Sequence, residues 1–137
     1  MLLVVKVGWD EAGHTERIGR VLSRALEGRT YQVIEREKAF LRWCVRTRAE
    51  KEGTAVLFAV ALPKAGVSLS YVHLVSCLVR HRRHCLAGCR GAVLVDGQGE
   101  FFTKKIGREL IFFANQAGCI FPGKPLVEAT GSLYNFN

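Results

Sequence analysis

A chain of 137 residues suits one domain built around one core, taken here as residues 1–137. Its 49% hydrophobic and 23% charged residues are ordinary for a globular protein, and no apolar run reaches the ~18 residues of a membrane span. The formal charge of +8 attracts anions such as nucleotide cofactors, acidic partners or nucleic acid.

Met1 to Val7 is a short, mostly apolar run, as expected of a strand buried on both faces. It is too short for a signal-peptide core and is followed by the acidic pair Asp10-Glu11, so a cytoplasmic protein is expected. Gly8 to His14 is a turn with two glycines. Thr15 then precedes Ile18, Val21, Leu22, Ala25 and Leu26, the apolar stripe of a helix, with Thr15 placed to cap it and Gly28 to stop it. Tyr31 to Glu35 can form a second strand. Ala39 to Lys51 reads as one basic helix with Phe40, Trp43 and Cys44 inward.

Thr54 to Leu62 is the strongest strand pattern, ended by Pro63-Lys64-Ala65-Gly66. Ser68 or Ser70 can cap a following helix that carries Val72, Val75 and Leu78 inward. Gly91 to Val95 is a fourth strand, ended by Asp96-Gly97-Gln98-Gly99. Thr103 is placed to cap a helix with Ile106, Leu110, Phe113, Ala114 and Ala117 inward, and Pro125 to Thr130 is a fifth strand. Alternation of strands and helices implies a three-layer, doubly wound α/β domain with a five-stranded parallel sheet. The sequence stops at Asn137, where one more helix is expected to cover a face; either the chain is a truncated version of a longer domain or a partner covers the face, with a second copy of the chain, a homo-oligomer, as the first candidate.

The basic stretches Arg42–Lys51 and Arg80–Arg90 read as solvated helix faces, since no nucleic-acid motif accompanies them. Cys44, Cys77, Cys85, Cys89 and Cys119 form an odd set without a secretion signal and are expected to be reduced thiols. His81, His84, Cys85 and Cys89 are metal-type ligands, but their spacing matches no standard zinc site; no metal is expected. No catalytic acid, base or nucleophile stands out.

Ligands of open α/β sheets bind beyond the carboxyl ends of the strands. Three loops meet there. Gly8 to Thr15 offers glycines and a helix N-terminus to an anion, although Asp10 and Glu11 oppose one unless they point away. Pro63 to Ser70 and Asp96 to Thr103 offer backbone and hydroxyl groups to the two sides of a planar ring, and Phe101 or Phe102 could pack on it. Each loop can equally be an ordinary capped connection.

The segments Gly13-His14-Thr15-Glu16-Arg17, Thr54 to Pro63, Ala114 to Cys119 and Phe121 to Glu128 together resemble the flavodoxin-like NAD(P)H-dependent FMN reductases and oxidoreductases. That resemblance implies strand order 2-1-3-4-5, FMN as cofactor and NAD(P)H as electron donor. It also implies hydride transfer through the flavin to an acceptor, with no protein acid or base required. The implied cofactor-binding residues are Gly13, His14 and Thr15 for the phosphate. Pro63, Gly66 and Ser68 lie on one side of the ring, with Gly97, Gly99 and Thr103 on the other. The alternative is a non-catalytic scaffold or interaction domain that keeps the fold with a degraded flavin site.

Overall fold

The computed structural model describes residues 1–64, 68–82 and 85–130. Leu2–Val7 forms β1, Gln32–Ile34 β2, Ala55–Ala61 β3, Arg90–Gly97 β4 and Leu126–Thr130 β5. All neighbours are parallel, in the order β2-β1-β3-β4-β5 expected of a flavodoxin-like sheet. The register pairs Val4 with Val33 and Leu57, Leu57 with Ala92, and Leu94 with Val127. The helices are α1 (Trp9–Ala12), α2 (Glu16–Ala25), α3 (Glu37–Cys44), α4 (Arg48–Lys51), α5 (Leu69–Arg80) and α6 (Glu100–Gln116). None of the described helices is long and apolar enough to cross a membrane.

Side chains alternate along each strand, so the sheet has two cores. Leu3, Val5, Val56, Phe58, Val60, Val93 and Val95 face one way. They pack against Phe40 and Trp43 of α3, Tyr71, Leu74 and Leu78 of α5, and Ile106, Leu110 and Ala114 of α6. Val4, Ala59, Ala61 and Leu94 face the other way, against Ile18, Leu22 and the following Leu26. This second layer is thinner, covered among the described helices by α2 and by Trp9 and Ala12 of the short α1. Beyond α2, Val127 is 44% exposed and Leu57 and Ala92 are only half-buried. A groove of about 340 Å³ runs there between Ala25, Leu26 and Arg29 and the strand ends.

Four expectations about the elements change. The basic helix is two helices: Thr47 turns extended and accepts the Glu50 backbone N–H at 3.4 Å, a Thr-x-x-Glu start that breaks the run at β-branched residues. Lys51 is not on a solvated face. It is fully buried, and its ammonium donates to the carbonyls of Cys44 at 2.8 Å and Cys85 at 2.9 Å. In α5, Leu78 turns inward and Val75 packs half-buried against the core as expected, but Val72 stays 41% exposed, and Tyr71, Leu74 and Cys77 complete the buried face. The Tyr71 hydroxyl donates to Glu109 at 2.8 Å, and burial together with that carboxylate raises the phenol pKa. Helix α6 starts at Glu100, so Thr103 lies inside it and is no cap. The thiols also differ: Cys44 and Cys85 are joined as a disulfide, with Cys77, Cys89 and Cys119 free and buried.

Phe58 sits at the middle of β3, fully buried, with its ring edge-on to Phe40 at 6.4 Å between centroids. Phe58→Ala removes a large buried ring where packed strands leave little room to collapse, and we expect a loss of roughly 3–5 kcal/mol in urea unfolding. A loss below roughly 1 kcal/mol would contradict the packing described.

Candidate functional site

Strand order reverses between β1 and β3, so their carboxyl ends should frame a crevice. Here the first loop folds across that crevice. Gly8 adopts φ 75°, and a Cβ on it would come within 2.6 Å of the Ala61 carbonyl oxygen and 2.8 Å of Ser68 Oγ. Only glycine permits both the left-handed backbone and this approach. The single turn α1 follows, closed by Gly13, also at φ 75°. Trp9 lies back on the sheet and donates its indole N–H to the Ala59 carbonyl at 2.9 Å, with Lys6 over its ring at 4.4 Å.

Glu11 points away from the first loop and into the start of α5. Its carboxylate accepts the backbone N–H groups of Leu69 at 2.8 Å and Ser70 at 2.9 Å, and the hydroxyls of Ser68 and Ser70. Ser68, rather than Ser70, caps α5 by accepting from the Tyr71 N–H at 3.1 Å. The α5 N-terminus, with its positive dipole end, thus already holds an anion from the protein itself. Burial raises the Glu11 pKa, but the hydrogen bonds from Ser70, Leu69 and Ser68 outweigh it and hold the carboxyl below its ordinary value.

An internal ion pair joins the other side. Arg17, in the first turn of α2, binds Asp96 in a two-pronged arrangement at 2.9 and 2.7 Å and reaches the Gly97 carbonyl at 3.2 Å. Asp96 is 9% exposed in its side chain. Its hydrogen bond raises the Arg17 pKa against the opposing effect of burial. Beside this pair opens a cavity of about 260 Å³ lined by His14, Arg17, Arg20, Leu62, Lys64 and Asp96, among others. Asp96 matches the charge of Arg17, while His14, Arg20 and Lys64 have no ion-pair partner among the described residues.

The residues expected at the site divide accordingly. His14 lines this cavity. Gly13 serves the backbone turn, with open space where a Cβ would sit. Thr15 stands at the start of α2 without a capping hydrogen bond and lines a different cavity, with Lys6, Trp9 and Glu35. Pro63 is half-buried after β3, and Ser68 is engaged as described. Gly66 lies outside the described residues. Gly97 ends β4, and a Cβ there would meet the Thr103 methyl at 2.7 Å, so its smallness serves packing. Gly99 is the exposed N-cap position of α6. Thr103 is fully buried, its hydroxyl 2.8 Å from Glu128 and 3.3 Å from the Gly99 carbonyl; it faces a structural partner rather than a ligand. Phe102 is 39% exposed. Arg20, Lys64 and Asp96 were not singled out as site residues. Arg17 and Arg20 follow His14 on one turn of a helix, and that spacing was the signal available.

No family model matches the chain, and no curated protein matches it in sequence. Among solved structures it is similar to the crystal structure of a flavodoxin, WrbA-like protein from Agrobacterium tumefaciens, with TM-score 0.57 and 15% identity. The match covers 98% of this chain and 85% of that one. Similarity at this level supports the flavodoxin-like fold.

Because Glu11 titrates with a lowered pKa in the folded chain, its contribution to stability is full above the unfolded value near 4.5 and disappears as pH falls through the folded value. Glu11→Ala should cost about 1 kcal/mol at pH 7, typical of a lost helix cap, and the difference from the parent chain should shrink below pH 4. Urea unfolding at both pH values measures this. Gly8→Ala should cost more, roughly 2–4 kcal/mol, from left-handed strain plus the clash with Ala61.

Proposed function

We propose that this chain is a flavin-binding, flavodoxin-like protein that takes FMN by its phosphate at the cavity beside α2. The observation that carries the reading is the charged lining of that cavity: Arg17, Arg20 and Lys64 outnumber the carboxylates of Glu16 and Asp96, with His14 beside them, at the carboxyl end of a parallel sheet. Cations gathered at this end of the fold suit a phosphate monoester. At about 260 Å³ the cavity is smaller than sites that enclose a whole drug-sized ligand, roughly 300 Å³ and up, so it suits the phosphate and ribityl end. Arg20 and Lys64 would pair with the phosphate, and His14 would donate to it. Leu62 and Gln98 would border the ribityl chain in the same cavity. When bound, the flavin supplies hydride chemistry between NAD(P)H and an acceptor. The chain's task is then to position the cofactor and to shield it from water.

One observation favours a second reading, a non-catalytic scaffold. Glu11 and Asp96 already bind the α5 N-terminus and Arg17, which leaves those groups less capacity for a ligand anion.

Titration of the purified chain with FMN separates the two. Quenching of flavin fluorescence at roughly micromolar concentration supports the flavin site. Arg20→Glu should then weaken binding about tenfold or more, equivalent to about 1.4 kcal/mol. Unchanged FMN fluorescence, with no NAD(P)H oxidation on adding FMN, overturns the flavin reading in favour of the scaffold.

A further inference from the structure

Three cysteines from three separate segments meet in the larger core. Cys44 ends α3, Cys77 lies in the last turns of α5, and Cys85 follows in the connection to β4. All three are buried, and their sulfur atoms lie within 4.8 Å of one another. Cys44 and Cys85 are joined, and the Cys77 sulfur is 4.0 Å from that of Cys44. Three thiolates around a tetrahedral ion with metal–sulfur bonds of about 2.3 Å stand about 3.8 Å apart, close to the 4.0 Å between the Cys44 and Cys77 sulfurs.

We propose that in the reduced chain Cys44, Cys77 and Cys85 bind one divalent thiophilic ion of the zinc class. Reaching that state takes two electrons and two protons from a thiol reductant, which opens the Cys44–Cys85 bond to two thiols. Binding the ion then releases the three thiol protons, leaving three sulfur–metal bonds.

Charge supports the divalent ion. Three thiolates and a divalent cation sum to −1, and a buried charge needs a compensating one. The buried Lys51 ammonium donates to the carbonyls of two of the three ligand residues, Cys44 and Cys85. As an ammonium it brings the total to zero.

Access is also present. A cavity of about 240 Å³ runs between β1, α3 and α5 and is lined by Val5, Phe40, Leu74 and Cys77. Glu37 and His73 also line it and pair with each other at 3.3 Å. An ion can enter past these two groups, and the cavity has room for a water as fourth ligand.

The test is titration of the fully reduced chain with Cd2+ under anaerobic conditions, read by the sulfur-to-metal charge-transfer band in the ultraviolet, followed by competition with Zn2+. One equivalent should saturate the band. Cys77→Ser should weaken binding roughly a hundredfold or more, and Cys119→Ser should leave it unchanged. If Cys77→Ser fails to fold, X-ray absorption of the zinc-loaded parent chain decides, with three sulfur ligands at about 2.3 Å expected. The proposal is overturned if no band appears at one equivalent, if Cys77→Ser binds as well as the parent, if the absorption shows two or fewer sulfurs, or if the Cys44–Cys85 bond resists thiol reductants.

Discussion

The carboxyl end of this sheet depends on a close approach between the loops that follow β1 and β3. Gly8 stands where a single added carbon would strike the Ala61 carbonyl and Ser68. That contact fixes where the first loop can go. With Gly8 pinned, the turn of α1 carries Glu11 over the start of α5, and the carboxylate completes the hydrogen bonding of backbone N–H groups that a helix leaves unpaired. Trp9, on the same turn, is drawn down onto Ala59. A larger residue at position 8 would lift the turn and undo both arrangements together.

The consequence is a competition between internal and external anions. In an open α/β sheet the helix N-termini and loop glycines are the groups that face a ligand. Here two carboxylates of the chain use part of that capacity, Glu11 at α5 and Asp96 at Arg17. The Arg17–Asp96 pair is partly buried and two-pronged, so removing one partner leaves the other desolvated without compensation. A phosphate therefore gains little by displacing Asp96. In the proposed reading it gains by meeting Arg20 and Lys64, which form no ion pair among the described residues, and it would then sit on the α2 side of β4 rather than in the crevice between β1 and β3.

Much of the fold was legible because its determinants are local. The offsets of Ile18, Leu22 and Leu26 define the buried stripe of α2, and the apolar run ending at Leu62 defines the central strand. What escaped were roles set by partners far away in sequence. Thr103 looked like a helix cap, and its actual neighbour, Glu128, is 25 residues on. Asp96 looked like a turn residue, and it is held by Arg17 across 79 positions. Lys51 looked like one more surface charge in a basic run. Only the folded chain brings two carbonyls, one 34 residues away, to its ammonium. Glu11 was seen as an obstacle to an anion, and only the position of α5 shows that it is itself the anion.

The two candidate ligand sites lie on opposite faces of the sheet. The cationic cavity is bounded by α2, on the thin layer built around Ile18 and Leu22. The cysteine cluster is enclosed by α3 and α5, within the thick layer that includes Phe40, Leu74 and Phe58. The strands between them are packed on both sides. Glu11 is the side chain whose bonds cross from the first loop to α5, the helix that carries Cys77. Substitutions in one layer should add independently to distant ones in the other.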